Sequence, residues 1–232
     1  MIPAARIALA DGRLLDVRGR RLGADDLDAV FALHQRAIAG TPPDLVARET
    51  RAFFAAHVAE SGGLYGLECA HGLLACAVLG LPRPGDPNFG ADHGLPPAQL
   101  ARVAHLDGVS VDPAWRGRGG QRLLTEWRLA EAARAGRDIV LSTVAPGNPY
   151  SLDNLLAAGL TIRALRPRFG GWRYLMRRDL GEAPAPQAAR WLPAGDLAAQ
   201  SALLDAGWRG CAVRGGVCRE LGFAPPAPSA LA

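Results

Sequence analysis

Three glycines fall within four residues, Gly117, Gly119 and Gly120, between a stretch that reads as a strand and one that reads as a helix. The strand is 103–111, VAHLDGVSV, ended by Asp112-Pro113. The helix runs from Gly119 to Ala135, carries Leu123, Trp127 and Ala130 on one face, and is closed by Gly136. Glycines let a backbone approach a ligand closely and adopt positive φ. At a helix start they leave several N–H groups pointing outward together, which with the helix dipole makes a phosphate site. Arg116, Arg118 and Arg122 add charge and bidentate donors.

The same segment excludes two common phosphate loops. A Walker loop needs Gly-Lys-Ser/Thr, yet all 26 basic residues are arginine and the chain has no lysine. A dinucleotide fingerprint needs a third glycine, but Gly117-Arg118-Gly119 runs on into Gly120-Gln121-Arg122. The charge of +4 suits a phosphorylated ligand. Scattered arginines and an aromatic content of 6% argue against a nucleic-acid surface.

The 232-residue chain fits one domain with an appendage, or two small domains. A strand is expected over 13–22 and a helix carrying Leu27, Val30, Phe31, His34 and Ile38 after Asp25-Asp26. A second helix should begin at Thr41-Pro42-Pro43-Asp44, striped by Val46, Phe53, Phe54, His57 and Val58. His34 and His57 read as packing or boundary residues. Leu64–Cys69 and Leu73–Leu81 form a hairpin around His71-Gly72, and 82–97 is a long proline- and glycine-rich loop, equally readable as functional or as a solvated excursion. Downstream come strands at 139–144, 160–165 and 173–176, a helix at 151–158, a linker at 181–190, a strand-helix-strand extension at 191–223 and a frayed tail at 224–232. Cys69, Cys76, Cys211 and Cys218 lack C-x-x-C spacing and read as buried free thiols, with no metal. No apolar run approaches the roughly 18 residues of a membrane span. The opening stretch, with Asp11, is too short and too early charged for a secretory signal, so the expected location is the cytoplasm.

Arg116-x-x-Gly119, after a strand and a Val111-Asp112-Pro113 turn, resembles the signature of the GNAT superfamily of N-acetyltransferases. Gln121 departs from it at the final small position, keeping the backbone N–H. A second match is Asn148-Pro149-Tyr150-Ser151, then Leu152–Ala158, then Gly159-Leu160, with Leu160 in the place of a phenylalanine. The resemblance covers 15 to 180 in element order and implies a GNAT domain at 13–180. Its fold would be α/β of the α+β type, a mixed, mostly antiparallel sheet flanked by helices, with splayed fourth and fifth strands. It implies that acetyl-CoA lies in the splay, its pantetheine on the backbone of Val109, Ser110 and Val111 and its pyrophosphate on 116–121, with Asn148 and Ser151 nearby. Asp107 takes the place of a catalytic base. The family's tyrosine acid falls at Leu155, which cannot donate a proton, leaving Tyr150 as the nearest phenol.

The implied reaction moves an acetyl group from acetyl-CoA to a primary amine of a small molecule or peptide. Asp86 and Asp92 in the long loop offer an acid lining for a cationic acceptor, and a homodimer stays open. Two rivals remain: a coenzyme A-binding regulatory protein, suggested by Leu155, and a basic nucleic-acid-binding module.

Overall fold

A computed structural model describes residues 5–8, 14–59, 62–182 and 187–226. These form one sheet with strand order β1-β2-β3-β4-β5-β6-β8-β7-β10-β11-β9. The strands are β1 (Ala5–Ala8), β2 (Leu14–Leu22), β3 (Gly62–Cys69), β4 (Gly72–Gly80), β5 (Val103–Val111), β6 (Ile139–Val144), β7 (Thr161–Arg168), β8 (Gly171–Asp179), β9 (Arg190–Pro193), β10 (Arg209–Arg214) and β11 (Glu220–Ala224). Every pairing is antiparallel except β5 with β6. The helices are α1 (Leu27–Ile38), α2 (Arg51–Ala59), α3 (Pro97–Leu100), α4 (Gly120–Arg134), α5 (Pro149–Ala157) and α6 (Leu197–Asp205). The expected mixed, mostly antiparallel sheet flanked by helices is the architecture found.

Strand β4 shows why the sheet is central. Cys76 and Val78 pack with Leu27, Val30, Leu33 and Phe54 of α1 and α2, while Ala75, Ala77 and Leu79 pack with Leu124, Leu129 and Ala132 of α4. Period-2 alternation delivers both sets, so an almost wholly apolar run is buried on two faces.

Several expectations shift. The second helix starts at Arg51 rather than Asp44, because the Thr50 hydroxyl caps it by accepting from the Phe53 amide at 3.1 Å. The buried stripe of α4 is Leu124, Thr125, Arg128, Leu129 and Ala132; Ala130 is exposed and Leu123 and Trp127 only half-buried. Of the four cysteines only Cys76 is buried, and Cys218 is exposed. Ala224, expected in the frayed tail, is buried at the end of β11, and residues 183–186 of the expected linker lie outside the described residues.

The C-terminal extension has one strand more than expected and extends the sheet edge, with Gly210 paired to Ile162. Leu203, Leu204, Leu221 and Phe223 join the same cluster as Ile162 and Tyr174. A Phe223→Ala substitution should therefore lower the stability of the whole domain by about 3–5 kcal/mol in urea unfolding. A separate transition, with the rest unaffected, would contradict a shared core.

Candidate active site

The ladder between β5 and β6 lasts three residues: Val103 pairs with Ile139, Ala104 with Val140 and His105 with Leu141. One further link follows, from the Ser142 hydroxyl to the Leu106 carbonyl at 2.8 Å. Beyond it β5 continues to Val111 with its other edge on β4, where Ala75 pairs with Val111 and Ala77 with Val109. The edge of 107–111 that faces away from β4 thus carries no strand, and its backbone groups are open to a ligand. This is the expected splay.

The glycine loop stands at the end of β5. Gly117 (φ 73°) and Gly119 (φ 78°) are left-handed, with nothing within 4 Å of where a Cβ would project. Glycine is required there by conformation, not by crowding. Gly119 is the N-cap of α4, and the first helical bond runs from the Leu123 amide to the Gly119 carbonyl at 3.0 Å. The amides of Gly120, Gln121 and Arg122 precede that bond and supply the donors of an anion nest. The arginines are placed otherwise than expected. Arg116 donates to the Ala37 carbonyl at 2.5 Å and docks the loop on α1, Arg118 lies 5.3 Å over the Trp115 ring, and Arg122 pairs with Glu126 at 2.9 Å. The donors this loop leaves unpaired at the start of α4 are therefore backbone amides rather than the arginine side chains the sequence suggested.

Gln121 turns its side chain to α5, donating to the Ser151 hydroxyl at 3.4 Å and accepting from Asn154 at 3.4 Å. Asn148 caps α5, its side-chain oxygen accepting from the Ser151 amide at 3.2 Å. Leu155 is in the core, and Tyr150 is 80% exposed at the first turn of α5.

On the face covered by α1 and α2, Asp107 is the centre of a cluster that sequence reasoning missed. Its Oδ2 lies 3.8 Å from His105 Nδ1 and 3.9 Å from His57 Nε2. The Phe89 amide donates to His105 Nε2 at 3.1 Å, which leaves the ring proton on Nδ1, facing Asp107. Burial holds His105 down at about 4, so it is neutral at pH 7. His57 donates from Nδ1 to the Phe53 carbonyl at 2.9 Å. Glu49 reaches over Gly108, and burial, with the Asp107 charge, raises its pKa. His34 remains a structural pin, accepting from the Glu49 amide at 3.0 Å and bonding Ser110 at 3.0 Å. Asp107 is itself pushed up to about 6 by burial, against the opposing charge of Arg128.

The long loop folds onto this cluster rather than into solvent. Phe89 stacks on His105 at 4.1 Å between ring centres, and Phe89 and Leu95 pack on Val103, Ile139 and Leu141. Asp86 accepts from the Arg83 amide at 2.9 Å and Asp92 pairs with Arg168, while the carboxyl that neighbours Asp107 is that of Glu49.

No protein-family model matches the sequence, and no curated protein matches it. Solved structures do match. A putative acetyltransferase from Salmonella typhimurium, solved with its cofactor acetyl-CoA, is 22% identical, with a TM-score of 0.55 over 75% of this chain and 99% of that one. A putative phosphinothricin N-acetyltransferase is 22% identical, with a TM-score of 0.56 over 72% and 99%. A GCN5-related N-acetyltransferase from Kribbella flavida is 19% identical, with a TM-score of 0.56 over 71% and 98%. The fold is the GNAT fold. Within it, β5 and β6 are the splayed pair, α4 carries the glycine loop and α5 carries the Asn148 turn.

Proposed function

We propose that the protein transfers an acetyl group from acetyl-CoA to a primary amine, by direct attack in a ternary complex. The observation that carries the reading is the gap after His105 and Leu141, bounded by an open β5 edge, an anion nest at the start of α4 and a half-buried carboxylate on the strand between them. Acetyl-CoA, when bound, supplies a thioester carbonyl open to attack and a thiolate stable enough to leave without a protein acid. The exposed Tyr150 and the buried Leu155 accord with such a departure.

The chain's own residues do the rest. The amides of 120–122 hold phosphate, and the free edge of Val109–Val111 holds the ligand's amide groups in line. An alkylammonium has a pKa near 10 and must lose a proton before it attacks. Asp107, ionised at pH 7 yet more basic than an ordinary aspartate, takes that proton directly or through water. Glu49 places a second carboxyl beside it and favours a cationic acceptor. The acceptor is a small molecule or a peptide amine.

Steady-state thiol release from acetyl-CoA with a panel of primary amines tests the reading. Amine-dependent release is expected. Absence of release with every amine, together with salt-dependent nucleic-acid binding indifferent to acetyl-CoA, would overturn it.

A further inference from the structure

Strand β5 carries one residue more than β4 between two ladder pairs: Ala77 faces Val109 and Leu79 faces Leu106, so Val78 alone opposes Asp107 and Gly108. This is a β-bulge. It inverts the alternation of side chains along β5. Asp107 lies with His57 and His105 on one face, whereas Val109, two residues on, packs against the cluster built by α4 on the other. A regular strand would put both on the same face. The bulge also takes carbonyls out of the ladder, and something must satisfy them.

We propose that Arg128 is the positioning residue for Asp107: its guanidinium locks the bulge that aims the carboxylate at the acceptor side. The proposal rests on the reading of Asp107 as the base. Arg128 projects from α4 and is 2% exposed. Nη1 donates to the carbonyls of both Val78 and Asp107 at 2.9 Å, the two residues that face each other across the bulge. Nε donates to the Leu124 carbonyl at 3.2 Å and Nη2 to the Thr125 hydroxyl at 3.4 Å. No carboxylate is ion-paired to it among the described residues. A buried cation is costly, and a leucine would fill a core position of α4 without that cost. What arginine adds is a planar guanidinium whose Nη1 takes both bulge carbonyls while Nε and Nη2 fix its orientation on α4, a rigid fork that lysine, as a single point charge, matches poorly.

The charged and titratable groups around the carboxylate can be named. Glu49 and His57 face it from α2 and the turn before it, His105 from its own strand, and Arg128 from α4 behind the sheet. Tyr65, on the α4 side of the sheet, and Cys76, on the α1 and α2 side, also lie within the field of Arg128. Arg128 is the permanent cation of the set, so its loss should also make the Asp107 carboxyl harder to ionise.

The test reads the Asp107 carboxyl by carbon-13 NMR titration, alongside kcat and acetyl-CoA affinity, in the full chain and in Arg128→Gln and Arg128→Lys. In Arg128→Gln the titration midpoint should rise by about 1 unit. Its kcat should fall about 10- to 100-fold, with acetyl-CoA affinity little changed. Arg128→Lys keeps the charge and loses the fork, so the midpoint should stay while kcat still falls. Should Arg128→Gln fail to fold, the lysine variant decides: full kcat there would overturn the proposal, as would a folded glutamine variant with an unmoved midpoint and wild-type kcat. The midpoint is read without turnover. A chain inactive on every amine would therefore count against the base reading and leave the Arg128 contact measurable.

Discussion

Gly119→Asp is expected to abolish measurable acetyl-CoA binding in a protein that still folds. Gly119 has φ 78°, and its missing Cβ would point into open space, so the fold tolerates a side chain at a strain of about 1–2 kcal/mol. The loss comes from charge. A carboxylate at the N-cap of α4 would satisfy the amides proposed to hold the pyrophosphate and would repel its oxygens. Two like charges 5 Å apart at an effective dielectric of 20 repel by about 3 kcal/mol, a factor of about 100 or more in affinity. Gly119→Asn separates the causes, because asparagine accepts the left-handed conformation and brings no charge. Calorimetry should find the asparagine variant weakened modestly and the aspartate variant beyond detection. Undiminished affinity in folded Gly119→Asp would remove the loop as the phosphate site.

Asp107→Asn should lower kcat/KM by about 100- to 10,000-fold, the range of a general base, while leaving acetyl-CoA affinity intact. It should also make the protein more stable at pH 7. The folded state raises this carboxyl from 3.8 to about 6, so it binds the proton more readily than the unfolded chain does. The favourable contribution of the protonated form is complete below the unfolded value and is lost as pH rises through about 6. At pH 7 the half-buried carboxylate is ionised and destabilising, by up to about 3 kcal/mol. Asparagine removes that charge, so a gain of about 1–3 kcal/mol is expected in urea unfolding at pH 7, vanishing near pH 4. The wild-type enzyme should correspondingly lose kcat/KM as pH falls below about 6. Equal turnover in the asparagine variant would remove Asp107 as the base, and lower stability would contradict its placement in a desolvated site.

Much of this was legible in the chain because the signals are local. The 103–111 strand, the glycine loop and the helix after it are set by neighbours in sequence, and strand β5 spans those very residues. The Asn148 turn is likewise local, a side-chain cap on α5. The cluster around Asp107 was not legible. Glu49, His57, His105 and Asp107 come from three separate segments and meet only when α2 and the loop around Phe89 fold over β5. His57 lay on an apolar stripe and read as packing, since nothing in its own helix marks a partner fifty residues away. Arg128 left a faint signal, a basic residue four positions from Leu124 and from Ala132. It was obscured because the stripe was placed one position off, on Leu123 and Trp127. The bulge could be suspected only from glycine beside the aspartate. Its consequence, Asp107 and Val109 on opposite faces, depends on β4 register that no sequence pattern specifies.

The central claim is that acetyl-CoA lies between β5 and β6 with its phosphates on the start of α4. Amide NMR of the wild-type chain titrated with acetyl-CoA tests it most directly. Saturable shifts are predicted at Val109, Ser110, Val111, Gly119, Gly120 and Gln121, with the amides of β9 to β11 still. Saturable binding that leaves those six unmoved, or the absence of binding, would contradict the account.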